Sequence, residues 1–516
     1  MNPKKVIIIG GGISGLSAGI YGQKCGFETE IYERNSAVGG LCASWERKGI
    51  KVDGCIHWLT GTKDGHNINK MWKVVNAFDE EDIIRDDNFG TAEYNGKTIT
   101  FWRDLDKLEK EMIAISPEDK KLIHKMRRLI ERFSKMKLPV EQPLKTYNVF
   151  QLMKIGFRMI PVLPYFIYAK KRSQADFAKK FKSKELIYIT SKVVPGDANL
   201  YSALYAFGTN VIGNGGVIKG GSDTLVKRME QEYLRCGGKI HLSSEVQELV
   251  IDKHKVVGIK LKNGAQPKED YFVTTCDVQE VFKHLLKNDH YYKDRRYIKR
   301  HINYEKYPSP SCVYASYKVD LKALNELGIT STYEFPCEPY HVGRLIEESV
   351  KMRNYSYDPS FINDEGKVLM TVLVHQSDKD FYYWERLKKN YKLYNTQKER
   401  VALDIQERIE TRFPSLKGKI ELVDVCTPMT YQRYVNAYRG AYMPFSFTSR
   451  GRQLMHNQNI RGIKNLVFSG QWIITPGGIP IALMSGKFAI QLLLKKEHKS
   501  VVISKYIESK EDKYAK

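Results

Sequence analysis

KVIIIGGGISGLSAGIYGQKCGFETEIYERNSAVGG, residues Lys5 to Gly40, carries the densest pattern in this 516-residue chain. Val6 to Ile9 is a short, β-branched apolar run of the kind that forms a buried parallel strand. Gly10, Gly12 and Gly15 follow in G-x-G-x-x-G spacing. The first glycine suits a tight turn, the second leaves the backbone open to a pyrophosphate, and the third lets the next helix lie close to the sheet. That helix is expected from about Ile13 to Cys25, ended by Gly26, with its N-terminal N–H groups and positive dipole end toward the phosphates. Ile13 and Ser14 occupy its first turn. Glu28 to Tyr32 reads as the second strand, and Glu33 stands at its tip, where a carboxylate accepts ribose hydroxyls and repels a 2′-phosphate. Strand, glycines, helix, strand and acid in this order define a dinucleotide-binding unit that does not suit NADP.

Beyond Glu33, the pair Glu33-Arg34 and the pair Gly39-Gly40, followed by Leu41, resemble the extended FAD fingerprint of the flavin amine oxidase and phytoene desaturase superfamily. The resemblance implies FAD as cofactor, with the paired glycines passing against its diphosphate and ribityl chain. A second resemblance lies near the other end, in NLVFSGQWIITPGGIPIALMSGKFAIQLLL, Asn465 to Leu494. Leu466 to Ser469 reads as a last parallel strand entering Gly470. Pro476-Gly477-Gly478 leads into a helix from Ile479 to about Leu494, whose N-terminus suits the flavin edge where negative charge collects on reduction. Many superfamily members have Gly-Asp at this strand end; this sequence has Gly470-Gln471. Between the two lies Gly215 to Ser222, similar to the family's Tyr-Pro-x-Gly-Gly segment but with Val217-Ile218 in place of Tyr-Pro, and Ser244-Glu245-Val246, where the resemblance implies a backbone contact from Val246 to the adenine.

The chain is long enough for two domains. The expected fold is α/β: a Rossmann-like FAD-binding domain with a parallel sheet, interleaved with an α+β substrate domain of antiparallel sheet plus helices. FAD-binding segments are expected at 1–75, 215–290 and 455–495, substrate or membrane-facing segments at 76–214 and 291–454, and a charged tail over 496–516. Strand patterns at Ser311 to Asp320 and Lys367 to His375 support the antiparallel sheet, and Met71 to Val211 reads as mostly helical. No second complete G-x-G-x-x-G occurs, which argues against a two-dinucleotide disulfide reductase.

Charge and composition narrow the partners. The formal charge is +24, and Lys145 to Glu185 holds ten Lys/Arg against Asp176 and Glu185. No zinc finger, helix-turn-helix or ribonucleoprotein signature accompanies it, so no nucleic-acid partner is expected. FQLMKIGFRMIPVLPYFIYAKKR, Phe150 to Arg172, instead joins apolar and aromatic residues to basic flanks. Its apolar core, Ile160 to Ala169, is too short to cross a bilayer, and the stretch suits an anionic membrane surface, or the apolar wall of a substrate pocket. Residues Met1 to Lys5 run directly into the first strand, so no signal peptide is expected, and the eight cysteines contain no C-x-x-C pair. The expected location is the cytoplasm, with peripheral attachment to the inner face of the membrane. No metal-ligand cluster is recognisable, and no metal is expected.

The resemblance to phytoene desaturases, carotenoid isomerases and retinol saturases implies desaturation, saturation or cis–trans isomerisation of a long hydrophobic alkene, such as a carotenoid, isoprenoid or unsaturated lipid. The catalytic candidates are His57, Tyr438 and Tyr442; a histidine beside Trp58 is more often a packing or hydrogen-bonding residue, and Tyr431, Tyr434, Tyr438, Gly440 and Tyr442 suit a cavity lining but more readily an ordinary aromatic core. Two alternatives are a flavin amine oxidase and a non-catalytic, FAD-containing membrane-surface protein.

Overall fold

A computed structural model describes residues 2–192, 198–287, 309–444, 456–460, 462–475 and 477–507. Two sheets organise it. The first is a five-stranded parallel sheet in the spatial order Lys239–His241, Glu28–Tyr32, Lys5–Ile9, Tyr271–Thr274, Leu466–Phe468. Its central strand is apolar on both faces because both are covered, Val6 and Ile8 by helices and Ile7 and Ile9 by the hairpin of strands Val246–Asp252 and Lys255–Leu261 with the short helical segment at 278–285. Helix Ile13–Lys24 packs on one face beside helix Ile479–Lys496. The two lie so close that a Cβ on Gly486 would stand 2.5 Å from the Ser14 carbonyl oxygen.

The second sheet has seven strands, in the order Ile420–Cys426, Ser311–Asp320, Lys367–Gln376, Leu345–Asn354, Thr332–Val342, Asn88–Tyr94, Lys97–Trp102. Neighbours are antiparallel except Thr332–Val342 with Asn88–Tyr94, which run parallel. Helices Asp378–Lys388 and Tyr391–Arg412 bury Phe381, Trp384, Val401, Ile405 and Ile409 against one face. Helices Lys120–Ser134 and Leu200–Val211 form a further layer, in which Ile123, Met126, Leu129, Ile130 and Phe133 are buried, as their helical spacing requires.

One part of the helical reading of 71–211 needs correction. Asn88–Tyr94 and Lys97–Trp102 form a hairpin at the edge of the large sheet. Asn95 and Gly96 both take positive φ (50° and 72°), the two-residue turn that suits Asn-Gly. The alternating Thr98, Ile99, Thr100 and Phe101 that follow are strand-like, and the helical periodicity on either side masked them. Of the expected segments, 291–308, 445–455, Pro476 and the tail beyond 507 lie outside the described residues.

Candidate functional site

Backbone geometry at the end of the central parallel strand is dictated by sterics. Gly10 leaves the strand at φ 102°. A Cβ on Gly15 would lie 2.0 Å from the Gly10 carbonyl oxygen, so any side chain there would separate helix from turn. Gly12 is different: the nearest atoms to its absent Cβ are Gly39 O at 3.7 Å and Gly40 Cα at 3.9 Å. A Cβ here would make only ordinary contacts with the protein, so the chain's own packing does not demand glycine at this position, which lines the cavity. Gly39, at φ 120°, donates its N–H to Gly11 O at 2.9 Å and forms a parallel bridge with Gly12, while Gly40 follows at φ 61°. The two glycine groups of the sequence thus lie side by side.

Glu33 is buried, and its carboxylate is held by this chain's own donors. Oε2 accepts from Gly11 N–H at 2.7 Å, and Oε1 accepts from Asn35 N–H at 2.9 Å and Asn35 Nδ2 at 2.8 Å. Ser244 N–H donates to Glu33 O at 2.7 Å, which brings Ser244 and Val246 beside the acidic strand tip. Arg34, the next residue, carries a buried Nη1 with no partner among the described residues.

The second helix start is built on side chains. Ser14, Ser469 and Ser485 form a buried hydroxyl cluster, with Ser14 Oγ to Ser469 Oγ at 2.5 Å and Gly470 N–H donating to Ser485 Oγ at 2.9 Å. This cluster ties the end of strand Leu466–Phe468 to both helices. Gly470 has φ 111° and Gly478 φ 86°. Gln471 bridges them: its Oε1 accepts from Gly478 N–H at 2.9 Å, and its Nε2 donates to Tyr442 O at 3.0 Å. Ile479 begins the helix beyond. Where relatives place an aspartate, this chain therefore uses an amide that caps one of the helix's unsatisfied N–H groups and fixes the Tyr442 loop.

Gly10, Gly12, Ser14, Glu33, Arg34, Gly39, Gly40, Val246, Gly470, Gln471, Gly478 and Ile479 line one cavity of about 1300 Å³, with Gly11, Gly15, Ser469 and Ser485 packed behind its wall. That exceeds the roughly 300–1,000 Å³ of a single small-molecule site. Beyond Gly12, Gly40, Leu41, Gly470 and Ile479 it continues between the sheets, past His57, Arg353, His375 and Tyr442, to Leu144, Met159 and Phe166. Tyr442 Oη and His375 Nδ1 lie 3.0 Å apart. Tyr438 does not line the cavity; its N–H donates to Asp277 and its ring lies under Lys283 Nζ at 4.4 Å. Tyr434 lines the cavity, whereas Tyr431 and Gly440 are packed outside it.

The imidazoles are neutral. Burial, then Arg353, His375 and Lys351, push His57 down to about 3, and burial followed by Lys351 pushes His375 down to about 4. Neither is a proton donor near pH 7; either can accept a hydrogen bond. Arg353 and His375 were not singled out by sequence. Their signal is the period-2 pattern of the large sheet, in which Glu347, Ser349, Lys351 and Arg353 share the cavity face of one strand while Val350 and Met352 face the core.

The fold is that of a dinucleotide-dependent oxidoreductase, and the family follows from the sequence. Residues 13–494 match the family of flavin-containing amine oxidoreductases, and the chain belongs to it. FAD is its cofactor. The residues fit that group: a glycine cradle with room beside Gly12, a buried Arg34 Nη1 without a partner among the described residues, and an acid at the strand tip. Among relatives, the chloroplastic prolycopene isomerase of Daucus carota is 23% identical over 85% of this chain and 71% of its own length. The 4,4'-diapophytoene desaturase (4,4'-diapolycopene-forming) of Methylomonas sp is 20% identical over 96% of both chains. The crystal structure of an oxidoreductase from Methanosarcina mazei superposes with a TM-score of 0.58 at 16% identity, covering 95% of this chain and all of that one.

Proposed function

We propose that this protein is an FAD-dependent oxidoreductase acting on carbon–carbon bonds of a long, hydrophobic, unsaturated substrate, by desaturation, saturation or cis–trans isomerisation. The observation that carries this is the cavity: it joins the nucleotide cradle to an apolar extension lined by Met136, Leu138, Val140, Leu144, Met159 and Phe166. Bound FAD supplies hydride transfer. The residues Gly10, Gly12, Ile13, Ser14, Gly15, Glu33, Arg34, Gly39, Gly40, Leu41, Val246, Gly470, Gln471, Gly478 and Ile479 are proposed to hold it. The N-terminus of Ile479–Lys496 presents N–H groups toward the cavity, a positive field for charge that accumulates on reduction. Neutral His57 and His375 keep the centre of the cavity from becoming a proton source, and the surrounding aliphatic wall excludes water.

The test is anaerobic. The purified protein's flavin is reduced, and polyenes, unsaturated lipids and primary amines are added separately. Reoxidation or isomerisation with an unsaturated chain is the expected result. Reactivity confined to amines, with peroxide released in air, contradicts the proposal and favours an amine oxidase. A flavin that none of these reaches favours the non-catalytic alternative.

Access from a membrane is proposed on a separate observation. Helices Val149–Met159 and Leu163–Lys170 meet at a bend of 76°, and among the described residues no single helix is long and apolar enough to cross a bilayer. Phe150 is 81% exposed and Phe157 64%, and Met153, Ile160 and Ile167 are also on the surface. Lys154, Arg158, Lys170 and Lys171 accompany them, the composition of an interfacial anchor on anionic lipid. Met159 and Phe166 of the same helices line the cavity, so a lipophilic chain entering here would leave lipid without crossing water. This supports a peripheral cytoplasmic location. Sedimentation with phosphatidylglycerol vesicles is expected, weakened by salt and by Phe150→Ser with Phe157→Ser. Equal recovery in the supernatant with and without vesicles at low salt would remove the anchor.

A further inference from the structure

The apolar extension explains one end of the cavity and leaves an arginine unexplained. Arg353 lies on strand Leu345–Asn354 and lines the cavity. Its Nη1 donates to the His57 carbonyl oxygen at 2.6 Å and its Nη2 to Tyr357 Oη at 3.0 Å. Its Nε is buried without a partner. The rings of Tyr355 and Tyr357, stacked on each other, lie 5.1 and 5.7 Å from Cζ, within cation–π reach of the guanidinium. Two of five N–H donors are thus placed, both on neutral oxygens.

Its charge is not matched by any ion pair among the described residues, whereas Lys351, on the same strand face, reaches Glu334 at 3.5 Å. Asp86, also on the cavity wall, is near enough to be felt but does not pair, and burial holds its carboxyl above the ordinary range. Asp86 also faces Arg103, whose Nη1 donates to the Asn210 and Gly215 carbonyls. The other titratable groups that face Arg353 are His57, which is neutral, and Tyr314, Tyr355 and Tyr357, whose hydroxyls burial keeps protonated, so none offers a negative charge. Two neutral hydrogen bonds could be made by a neutral side chain. A permanent cation with no carboxylate of its own, facing a cavity, is the arrangement that recognises an anionic oxygen group.

We infer that the substrate is an amphiphile, an unsaturated chain ending in a carboxylate, and that Arg353 receives that carboxylate while the chain occupies the apolar extension. A singly charged carboxylate suits a single guanidinium with Asp86 nearby better than a phosphate dianion, which that aspartate would repel. The inference rests on the reading of the cavity as a site for unsaturated chains. It adds that neutral hydrocarbons are the poorer ligands.

The experiment compares cis-parinaric acid, a fluorescent conjugated fatty acid, with its methyl ester, which differs only in the charge at its end. Each is titrated into the oxidised holoprotein at pH 8. The acid is expected to bind at least tenfold more tightly than the ester. Arg353→Met should bring the acid to the ester's affinity and leave the ester unchanged, and Arg353→Lys should restore part of the difference. Flavin content checks that the variants are folded; should Arg353→Met lose its flavin, the wild-type ratio and Arg353→Lys decide. Equal binding of acid and ester to the wild-type protein would overturn the inference and leave the unsaturated-chain reading standing. So would an Arg353→Met protein that weakens both ligands alike, since Arg353 would then act only on the fold or the cofactor. Binding of neither ligand would overturn both.

Discussion

Around strand Lys5–Ile9 the cavity wall is backbone; along strand Leu345–Asn354 it is side chains. At the first, Gly10, Gly12, Gly39 and Gly40 expose peptide groups, and the acid at the strand tip, Glu33, is used mainly to hold Gly11 and Asn35 in place. At the second, Ser349, Lys351 and Arg353 project from a strand whose path any sheet could supply. A backbone site tolerates few substitutions because most of its glycines answer a steric demand. A side-chain site can be rewritten one residue at a time without disturbing the sheet. The cofactor end of this cavity is therefore common to many proteins, and the substrate end belongs to this one.

Substitution should break the two ends differently. The largest effect is expected for Gly15→Val, because even the first carbon would stand 2.0 Å from Gly10 O. A stability loss of about 3 kcal/mol or more, or failure to accumulate as folded protein, should appear in thermal unfolding. Arg353→Met, by contrast, should keep its flavin and its fold. Glu33→Gln comes next. Losing the charged acceptor for Gly11 and Asn35 should weaken FAD about tenfold, roughly 1.4 kcal/mol, as measured by flavin fluorescence titration.

A pH titration sharpens the comparison at the substrate end. His57 and His375 titrate far below an unfolded histidine. Between those values and about 6.5 the unfolded chain binds more protons than the folded one, so stability is complete above about 6.5 and falls as pH drops toward 4 and 3. His57→Gln should make the acid side of the stability curve shallower, as read from urea midpoints at pH 4.5 and 7.5. An unchanged slope would mean that His57 is not buried neutral. The smallest effect is expected for Gln471→Ala: loss of one cap on Gly478 N–H and one bond to the Tyr442 loop, about 1 kcal/mol in the same assay.

The same contrast explains what could be read from the chain beforehand. Gly10, Gly12, Gly15 and Glu33 were legible because strand, turn and helix demand those residue types at fixed spacing, and Gly478 before Ile479 was legible for the same reason. Gln471 was visible only as a departure from the family's Gly-Asp; its bond to Gly478 depends on a loop returning from Tyr442, which no local pattern encodes. Arg353 and His375 lie on neighbouring strands separated in sequence by the 355–366 connection, and only the register Met352↔Val372 brings their strands together. The Asn88–Tyr94 hairpin was missed although Asn95-Gly96 announces it, because helical periodicity outweighed two turn residues. Phe150 to Arg172 suited a surface anchor or a pocket wall, and its residues divide between an exposed face and the cavity.

The central claim is that FAD lies in a cradle of backbone beside Gly12, opening into the cavity that takes the substrate. Flavin content of the purified Gly12→Val protein tests it most directly, alongside the wild type and with folding checked by circular dichroism. A folded, colourless variant that does not take up added FAD, beside a yellow wild type carrying one flavin per chain, is the predicted result. A Gly12→Val protein with its full flavin complement would contradict it.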